Sequence, residues 1–488
     1  MPTGAQLIVG AVLFPIGSAL LLALIPERSD RARNTMAIFI AAVTAAMVLM
    51  ILPEVLQGRI AFISVLTIFP GLELAFRADP LAILFGVIAA VLWVFTVVYS
   101  TGYMAHETDR RRYFVFFILS LGTTMGIAFS ANLFVLYLFY ELLTIFTYPL
   151  VIHTGGKKSQ VAGKRYIIYS FVGAAFVLAA LVMTYTLTGT LDFTPGGIVH
   201  PAVGQAGLWR LIFVCFVIGF GVKAAIMPLH AWLPAAMVAP TPVSALLHAV
   251  AVVKSGVFSQ LRVMYSVYGS EVLSVLQLSL FVIVLVSITI LVASIIALKQ
   301  DVLKRRLAYS TISQLSYIIL GAGLLTSLGL TGGLLHLLNH ALLKITLFFC
   351  AGAIITVTGK EKISEMAGVG RQMPLTMLAF TICSIGMIGL PPTNGLISKL
   401  FLMAGSVEVG HPAVIVVLIT SALLNAAYFV PIIITAFFKK GDFAPHPGAE
   451  APLSMLGPIV LLALLCLVVG IKLDLTVPFI QSIAGYLF

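Results

Sequence analysis

Apolar residues in this chain come in long runs of about twenty, the length a helix needs to cross the hydrocarbon core of a bilayer. Fourteen such runs are present, at roughly 5–25, 35–53, 79–104, 113–130, 132–152, 164–188, 208–227, 241–266, 272–298, 306–326, 331–357, 374–404, 411–438 and 452–472. The pattern predicts an all-α polytopic membrane protein. Two runs are interrupted: the seventh meets Pro228 and Pro234, and the twelfth meets Pro391, Pro392 and Gly395. Proline removes a backbone donor and clashes with the preceding turn. Within a bilayer such breaks persist only where they are buried in protein or line a cavity. No basic stretch precedes Ile8 and no small-residue cleavage site closes the first run, so it is expected to be a retained span.

Composition supports this solvent. Of 488 residues, 61% are hydrophobic and only 9% are charged, against about 25% charged in soluble domains. A single soluble core stops growing near ~250–300 residues and could not hide so much apolar surface. A soluble enzyme, a secreted disulfide scaffold and a nucleic-acid binder are thereby excluded. Cys215, Cys350, Cys383 and Cys466 sit in apolar runs and form no C-x-x-C pair, so neither a disulfide framework nor a metal site is expected.

The net charge is +11, and its distribution fixes an expected orientation. With fourteen spans, alternate loops carry nineteen Lys and Arg residues, and the face holding both termini carries five. The positive-inside rule assigns the nineteen to the cytoplasm and both termini to the outer face of the plasma membrane. The remaining four, Lys223, Lys254, Lys344 and Lys399, lie inside apolar segments, and Glu141 is the one clearly intramembrane acid. A charge at the bilayer centre costs at least ~2.5–3.5 kcal/mol on insertion scales, so five in one chain point to function.

Desolvation disfavours an ammonium, and a neighbouring carboxylate favours it. A separable Glu–Lys pair is therefore a physical proton gate, and Glu141 with Lys223 is the candidate. His336, His340 and Lys344 recur at four-residue spacing and share one helix stripe. Histidine titrates near pH 6.5 and suits proton shuttling. His248 precedes Lys254 by six residues, which on one unbroken helix places them about 120° apart. His230 follows the seventh break, and either a relay at a proton mouth or a helix cap fits its position.

The broken seventh and twelfth spans each carry a lysine close to a proline break. They are offset by five spans, an odd number, so equivalent helices run in opposite directions. That is the signature of inverted repeats. The predicted organisation is helices 1–3 over residues 1–112, a first five-helix repeat (helices 4–8) over 113–270, a second (helices 9–13) over 271–440, and helix 14 over 441–488.

Five segments carry a family resemblance: LFYELLTIFTYPLV (138–151), GVKAAIMPLHAWLPAAMVAPTPVSALLHAV (221–250), KRRLAYSTISQLSYI (304–318), NHALLKITLFFCAG (339–352) and GLPPTNGLISKLFL (389–402). They resemble the antiporter-like subunits of respiratory complex I, Mrp-type cation/proton antiporters and membrane-bound hydrogenases, over about residues 75–440. The resemblance implies fourteen spans with two inverted five-helix repeats. It matches Glu141 and Lys223 to the family's acid–lysine pair, His248, Lys254, His336, His340 and Lys344 to the central relay, and Lys399 to the terminal lysine. Lysine at 399, with the YELLTIFTYPLV wording, leans toward the Mrp D-type subunit. The family usually reads WLPDA, whereas this chain has Ala235, which removes a negative charge at that mouth.

The expected function is proton translocation within a larger membrane complex, with other membrane subunits as partners and protons, with or without sodium, as cargo. Moving one charge across 100 mV costs about 2.3 kcal/mol. The chain has no redox-cofactor motif, Walker A pattern or Rossmann fingerprint, so no cofactor is expected and the driver lies elsewhere. The alternative is a proton-pumping subunit of a complex I-like oxidoreductase or hydrogenase.

Overall fold

The computed structural model describes residues 3–69, 71–441 and 449–488; part of the last predicted unit, 442–448, lies outside the described residues. In chain order the elements are α1 (Gly4–Ala23), α2 (Asp30–Leu56), a hairpin of β1 (Ala61–Phe69) and β2 (Leu72–Ala78), α3 (Pro80–Tyr103), α4 (Arg110–Ala128), α5 (Leu133–Val151), α6 (Gly156–Thr188) and α7 (Ala206–Lys223). There follow α8 (Trp232–Ala235), α9 (Thr241–Ala249), α10 (Val252–Arg262), α11 (Ser270–Val275), α12 (Leu278–Leu298), α13 (Leu303–Gly323) and α14 (Ser327–Thr358). The chain ends through α15 (Val369–Gln372), α16 (Pro374–Ile388), α17 (Gly395–Glu408), α18 (Ala413–Phe438), α19 (Leu453–Ile471) and α20 (Val477–Leu487).

The protein is a multi-pass helical membrane protein. Among the described residues, 11 helices are long and apolar enough to cross a bilayer. The other three expected spans fall on α4, α13 and the α16–α17 pair, which are more polar or shorter. Peripheral helices show lipid-type surfaces, with Leu49, Phe171, Ile288 and Leu423 exposed. The interior is different. Every residue from Thr241 to Gly269 is buried, as is nearly all of α13 and α14. These central segments hold most of the candidate residues.

Side-chain caps start several helices where the sequence supplies them. Asn132 accepts from the Val135 amide at 2.9 Å, and Thr326 accepts from the Gly329 amide at 3.0 Å. Such caps satisfy amide donors that a helix start leaves unpaired. The interruptions are of two kinds. The seventh span stops at Lys223 and the twelfth divides between Ile388 and Gly395, both beside prolines as expected. The eighth is expected to be continuous but breaks at Val250–Ala251. There the amides of both residues turn back to the Leu246 carbonyl, at 3.1 and 2.9 Å. No proline marks this break, so hydropathy does not reveal it. A π-helical turn, Val263–Tyr268, then follows α10.

Two further elements escape the apolar-run pattern. The β1–β2 hairpin pairs Ala61 with Ala78 and Phe69 with Leu72. The C-terminal α20 buries Ile480, Ile483, Ala484 and Leu487 on one face. Hairpin and tail meet: Arg77 donates to the Tyr486 hydroxyl at 2.6 Å. The start of α1 reaches the same end, since Gly4 packs beside Glu54 and Ala61. Both described ends of the chain therefore lie on the hairpin side. At the opposite side the basic loops interlock: Arg110 pairs with Asp30 at 2.6 Å, Arg112 donates to the His153 carbonyl, and Lys304 donates to the Ala239 carbonyl at 2.9 Å.

Close backbone approach at the twelfth-span break allows a test. A Cβ on Gly395 would sit 1.7 Å from the Gly386 carbonyl oxygen, whereas one on Gly457 in α19 meets nothing within 4 Å. Gly395→Ala should destabilise by about 1–3 kcal/mol, the range of core overpacking. Gly457→Ala should be neutral or stabilising by up to about 1 kcal/mol. Thermal melts of the two variants in detergent should separate; equal melting temperatures would contradict this account of the break.

Candidate functional site

The four buried lysines lie on four helices, α7, α10, α14 and α17, and meet carbonyl and hydroxyl oxygens rather than carboxylates. Lys223, the last residue of α7, donates a short hydrogen bond to the Tyr140 carbonyl of α5, and its ammonium lies 3.3 Å from the centroid of the Tyr140 ring. Gly256 of α10 packs against this helix end: a Cβ there would lie 2.4 Å from the Ala224 nitrogen. The Trp232 indole donates to the Val222 carbonyl at 2.7 Å and holds the turn after the break. Cation–π contact and a carbonyl partly replace the hydration the ammonium has lost.

Glu141, the next residue on α5, is half-buried, and its Oε1 is buried without a hydrogen-bond partner. Glu141 and Lys223 are electrostatic neighbours. No direct ion pair joins them among the described residues. The acid and the lysine are thus near each other but separated.

Lys254 on α10 donates across to the Leu337 carbonyl of α14 at 2.9 Å. Its relation to His248 differs from the helical-wheel expectation, because the break at Val250–Ala251 separates them and the 100° arithmetic does not carry across it. The His248 ring lies tilted beside Phe348, centroids 4.9 Å apart, and both its nitrogens are buried with no hydrogen-bond partner among the described residues.

The α14 stripe forms as its spacing predicts. The His336 and His340 rings are 6.1 Å apart. His336 Nδ1 lies 3.0 Å from Ser398 Oγ, and its ring stacks on Tyr317 at 5.0 Å. Both nitrogens of His340 are buried and unpartnered. Buried polar atoms are nearly always satisfied, so these are exceptions. Lys344, one turn further, donates to Ser310 Oγ at 2.9 Å and to the Leu307 carbonyl at 3.4 Å.

Lys399 reaches back from α17 to the end of α16. It donates to the Met387 and Ile388 carbonyls at 2.9 and 2.6 Å. These are among the last carbonyls of a half-helix, where the backbone dipole presents its negative end. Its ammonium also lies 5.8 Å from the Tyr317 ring, which links it to His336.

His230 stands apart. It sits half-buried in the turn between α7 and α8, 6.1 Å from the Tyr309 ring, and does not join the central stripe. Ala235 closes α8 and lines an open cavity of about 970 Å³ with Lys157, Lys158, Lys304, Arg305 and Glu361. With alanine there, this mouth holds four cations and one acid.

The sequence reading missed a buried acid. Asp79, at the edge of the third predicted span, is 1% exposed and takes a bidentate bond from Arg262, itself 1% exposed, at 2.7 and 2.8 Å. Glu141 is therefore not the sole acid within the bundle. It also missed Tyr140, Ser310, Ser398, Asn425 and Tyr428. Their only signal is polarity inside apolar runs, as in LAYSTISQLSY and LLNAAYF. Among the described residues, no group of three His, Cys, Asp or Glu is placed to hold a metal ion.

A helical membrane bundle with lysines and histidines along its centre has clear relatives. The chain belongs to the NADH:quinone oxidoreductase/Mrp antiporter transmembrane family, whose model matches residues 130–424; the model for the N-terminus of complex I chain 5 matches 70–114. It is 36% identical to NADH-quinone oxidoreductase subunit N of Desulforudis audaxviator over 421 residues, 82% of each protein. It is 30% identical to Na(+)/H(+) antiporter subunit A1 of Staphylococcus haemolyticus over 434 residues, 82% of this chain but 53% of that one. The chain thus spans about half the length of that antiporter relative. The fold matches a chain in the structure of the Mrp complex from Dietzia sp. DQ12-45-1b with a TM-score of 0.89 at 20% identity, covering 100% and 98% of the two chains.

The geometry of Lys254 separates stability from function. Leu337 O is the carbonyl of an interior residue of α14, so it keeps its helical bond when the ammonium is gone. Replacing a buried charge with an apolar group of similar volume is often neutral or stabilising. Lys254→Met should therefore keep or raise the melting temperature by a few degrees. A fall of more than about 2 °C, roughly 2 kcal/mol in a chain of this size, would mean that the lysine holds the fold together.

Proposed function

We propose that this chain is the proton-translocating subunit of a multisubunit membrane antiporter of the Mrp class, moving protons along Glu141, Lys223, Lys254, His248, His340, His336, Lys344 and Lys399. One observation carries the reading: Lys223, Lys254, Lys344 and Lys399 are all buried, and among the described residues none has a carboxylate partner. A structural charge is kept by pairing it. An ammonium held by neutral oxygens can lose its proton without leaving a buried counter-charge behind.

In this reading Glu141 favours the charged form of Lys223 when the two approach and releases a proton from it when they part. Protons enter through a half-channel in one five-helix repeat, cross by the Lys/His axis, and leave through the other. The two inverted repeats over 113–270 and 271–440, the fourteen spans, and termini on the outer face of the plasma membrane all belong to the proposal. Other membrane subunits are the partners, and an opposing gradient of sodium or another monovalent cation is the driver. His230 lies off the axis, so the proposal assigns it to the entry turn.

A second reading has its own support. The relative named subunit N matches over 82% of both chains, which favours a redox-driven complex I-like assembly. Purifying the complex with this chain tagged and identifying its companions distinguishes them. Small antiporter subunits support the first reading; iron–sulfur or nickel–iron subunits support the second.

Lys223→Ala should abolish ion-coupled proton movement in proteoliposomes while the complex still assembles. Lys223→Arg should fail as well, because a guanidinium does not deprotonate at working pH. Near-parental transport by the arginine variant would remove the loading role. His340→Gln and His336→Gln should assemble and transport more slowly, most where proton supply limits the rate. The double variant should be little worse than the poorer single, the non-additivity of groups acting in series. Rates equal to the parent for all three across about pH 6–9, where histidine titrates, would show the stripe to be packing.

A further inference from the structure

Lys344 and Lys399 are joined by a continuous hydrogen-bonded chain that avoids the histidines. Lys344 Nζ donates to Ser310 Oγ at 2.9 Å, and Ser310 Oγ lies 2.9 Å from the Tyr428 hydroxyl. Tyr428 donates a short bond to Asn425 Oδ1, and Asn425 Nδ2 donates to the Met387 carbonyl at 3.1 Å. The same carbonyl accepts from Lys399 at 2.9 Å. All five side chains are buried.

We propose that Ser310, Tyr428 and Asn425 are positioning residues that transmit the protonation state of Lys344 to Lys399, making the two lysines compete for protons. This rests on the proton-axis reading above. Tyr428 and Ser310 each have one hydroxyl proton, so the chain has two directions. With Lys344 charged, its N–H groups can only donate. Ser310, accepting from Lys344, can turn its own proton toward Tyr428 in place of accepting from it; the Tyr428 proton then goes to Asn425, whose amide holds Met387 O. With Lys344 neutral, its lone pair accepts from Ser310 and Ser310 accepts from Tyr428. Asn425 Oδ1 loses its donor, and the amide is free to release Met387 O to Lys399.

A charged Lys344 therefore weakens the oxygen cage of Lys399, and a neutral one strengthens it. An amide oxygen is too weak a base to carry the proton, so the chain passes orientation, not charge. The titratable and charged groups around it are His248 and Lys254 from α9 and α10, Arg306 and Tyr317 from α13, His336 and His340 from α14, and Lys399 from α17. None of them interrupts the path from Lys344 to Met387 O.

The test uses the assembled complex in proteoliposomes, with transport rate measured against pH and normalised to assembled protein. Tyr428→Phe removes one oxygen and keeps the ring; Ser310→Ala breaks the chain one step earlier; Ser310→Thr restores the hydroxyl. Tyr428→Phe and Ser310→Ala should each slow transport about tenfold, within the range of network couplings, and the double variant should be no worse than the poorer single. Both should shift the pH profile by about one unit, the equivalent of a tenfold change in proton affinity. Ser310→Thr should retain parental behaviour. A parental rate and profile for Tyr428→Phe would overturn the relay, as would slowing with an unshifted profile in all three variants, which marks a packing role. Lys344→Met separates the levels: if it abolishes transport while Tyr428→Phe is parental, only the relay fails, and if it transports normally, the proton axis itself fails.

Discussion

An ammonium ion cannot be left bare in a low-dielectric core, and this requirement organises the bundle. The idealised cost of moving such an ion from water into a medium of ε ≈ 4 is of order 20 kcal/mol, and several kcal/mol remain after relaxation. Each of the four central lysines meets the requirement in the same way, by donating to backbone carbonyl oxygen: Tyr140 O, Leu337 O, Leu307 O, and the paired Met387 O and Ile388 O. Each oxygen belongs to a helix other than the lysine's own. The ammonium groups therefore stitch the central helices together, and the helices must come close enough for short donor–acceptor distances.

Glycine at the crossings supplies that closeness. Gly173 on α6 and Gly219 on α7 face one another so tightly that a Cβ on either would meet the other's carbonyl at under 3 Å. Gly256 does the same for α10 against the end of α7 at Lys223. Lipid tails are as apolar as leucine, so helices in a bilayer associate through packing and interhelical hydrogen bonds rather than hydrophobic burial. Small residues at the crossings and polar residues along the centre are two parts of one solution: the first allows the backbone approach that the second uses.

The sequence made much of this legible, because the bilayer imposes a long, uniform signal. Runs of apolar residues located the helices, loop charge placed the basic loops together on one side, and any charge inside a run was conspicuous against its background. The stripe of His336, His340 and Lys344 followed from helix geometry alone. What stayed hidden had no such contrast. The break at Val250–Ala251 lacks proline and depends on tertiary contacts. The Tyr140 carbonyl that holds Lys223 is backbone, which no residue type announces. Asp79 lies at the edge of a run, where an acid has no contrast with its surroundings, and it caps α3 by accepting from the Ala82 amide at 2.9 Å. Ser310, Asn425 and Tyr428 are common in apolar helices, and only the fold shows them in line.

The bundle also sets its buried arginine and its buried lysines in different surroundings. Near the hairpin end, Asp79 and Arg262 form a two-point bond, with Arg77 3.8 Å from the same carboxylate. Arginine does not deprotonate in proteins, and the planar fork matches a carboxylate, so this pair is a fixed charge that ties α3 to α10. Along the central axis the cations are lysines, their ligands are carbonyls and hydroxyls, and the one nearby acid stands off without an ion pair. A lysine paired as Arg262 is paired would be locked in its charged form by its partner. A lysine held by neutral oxygens loses only hydrogen bonds when its proton leaves. The physics that makes Asp79–Arg262 a rivet is also what lets the proposed function assign proton exchange to Lys223, Lys254, Lys344 and Lys399: the difference lies in what sits opposite each cation.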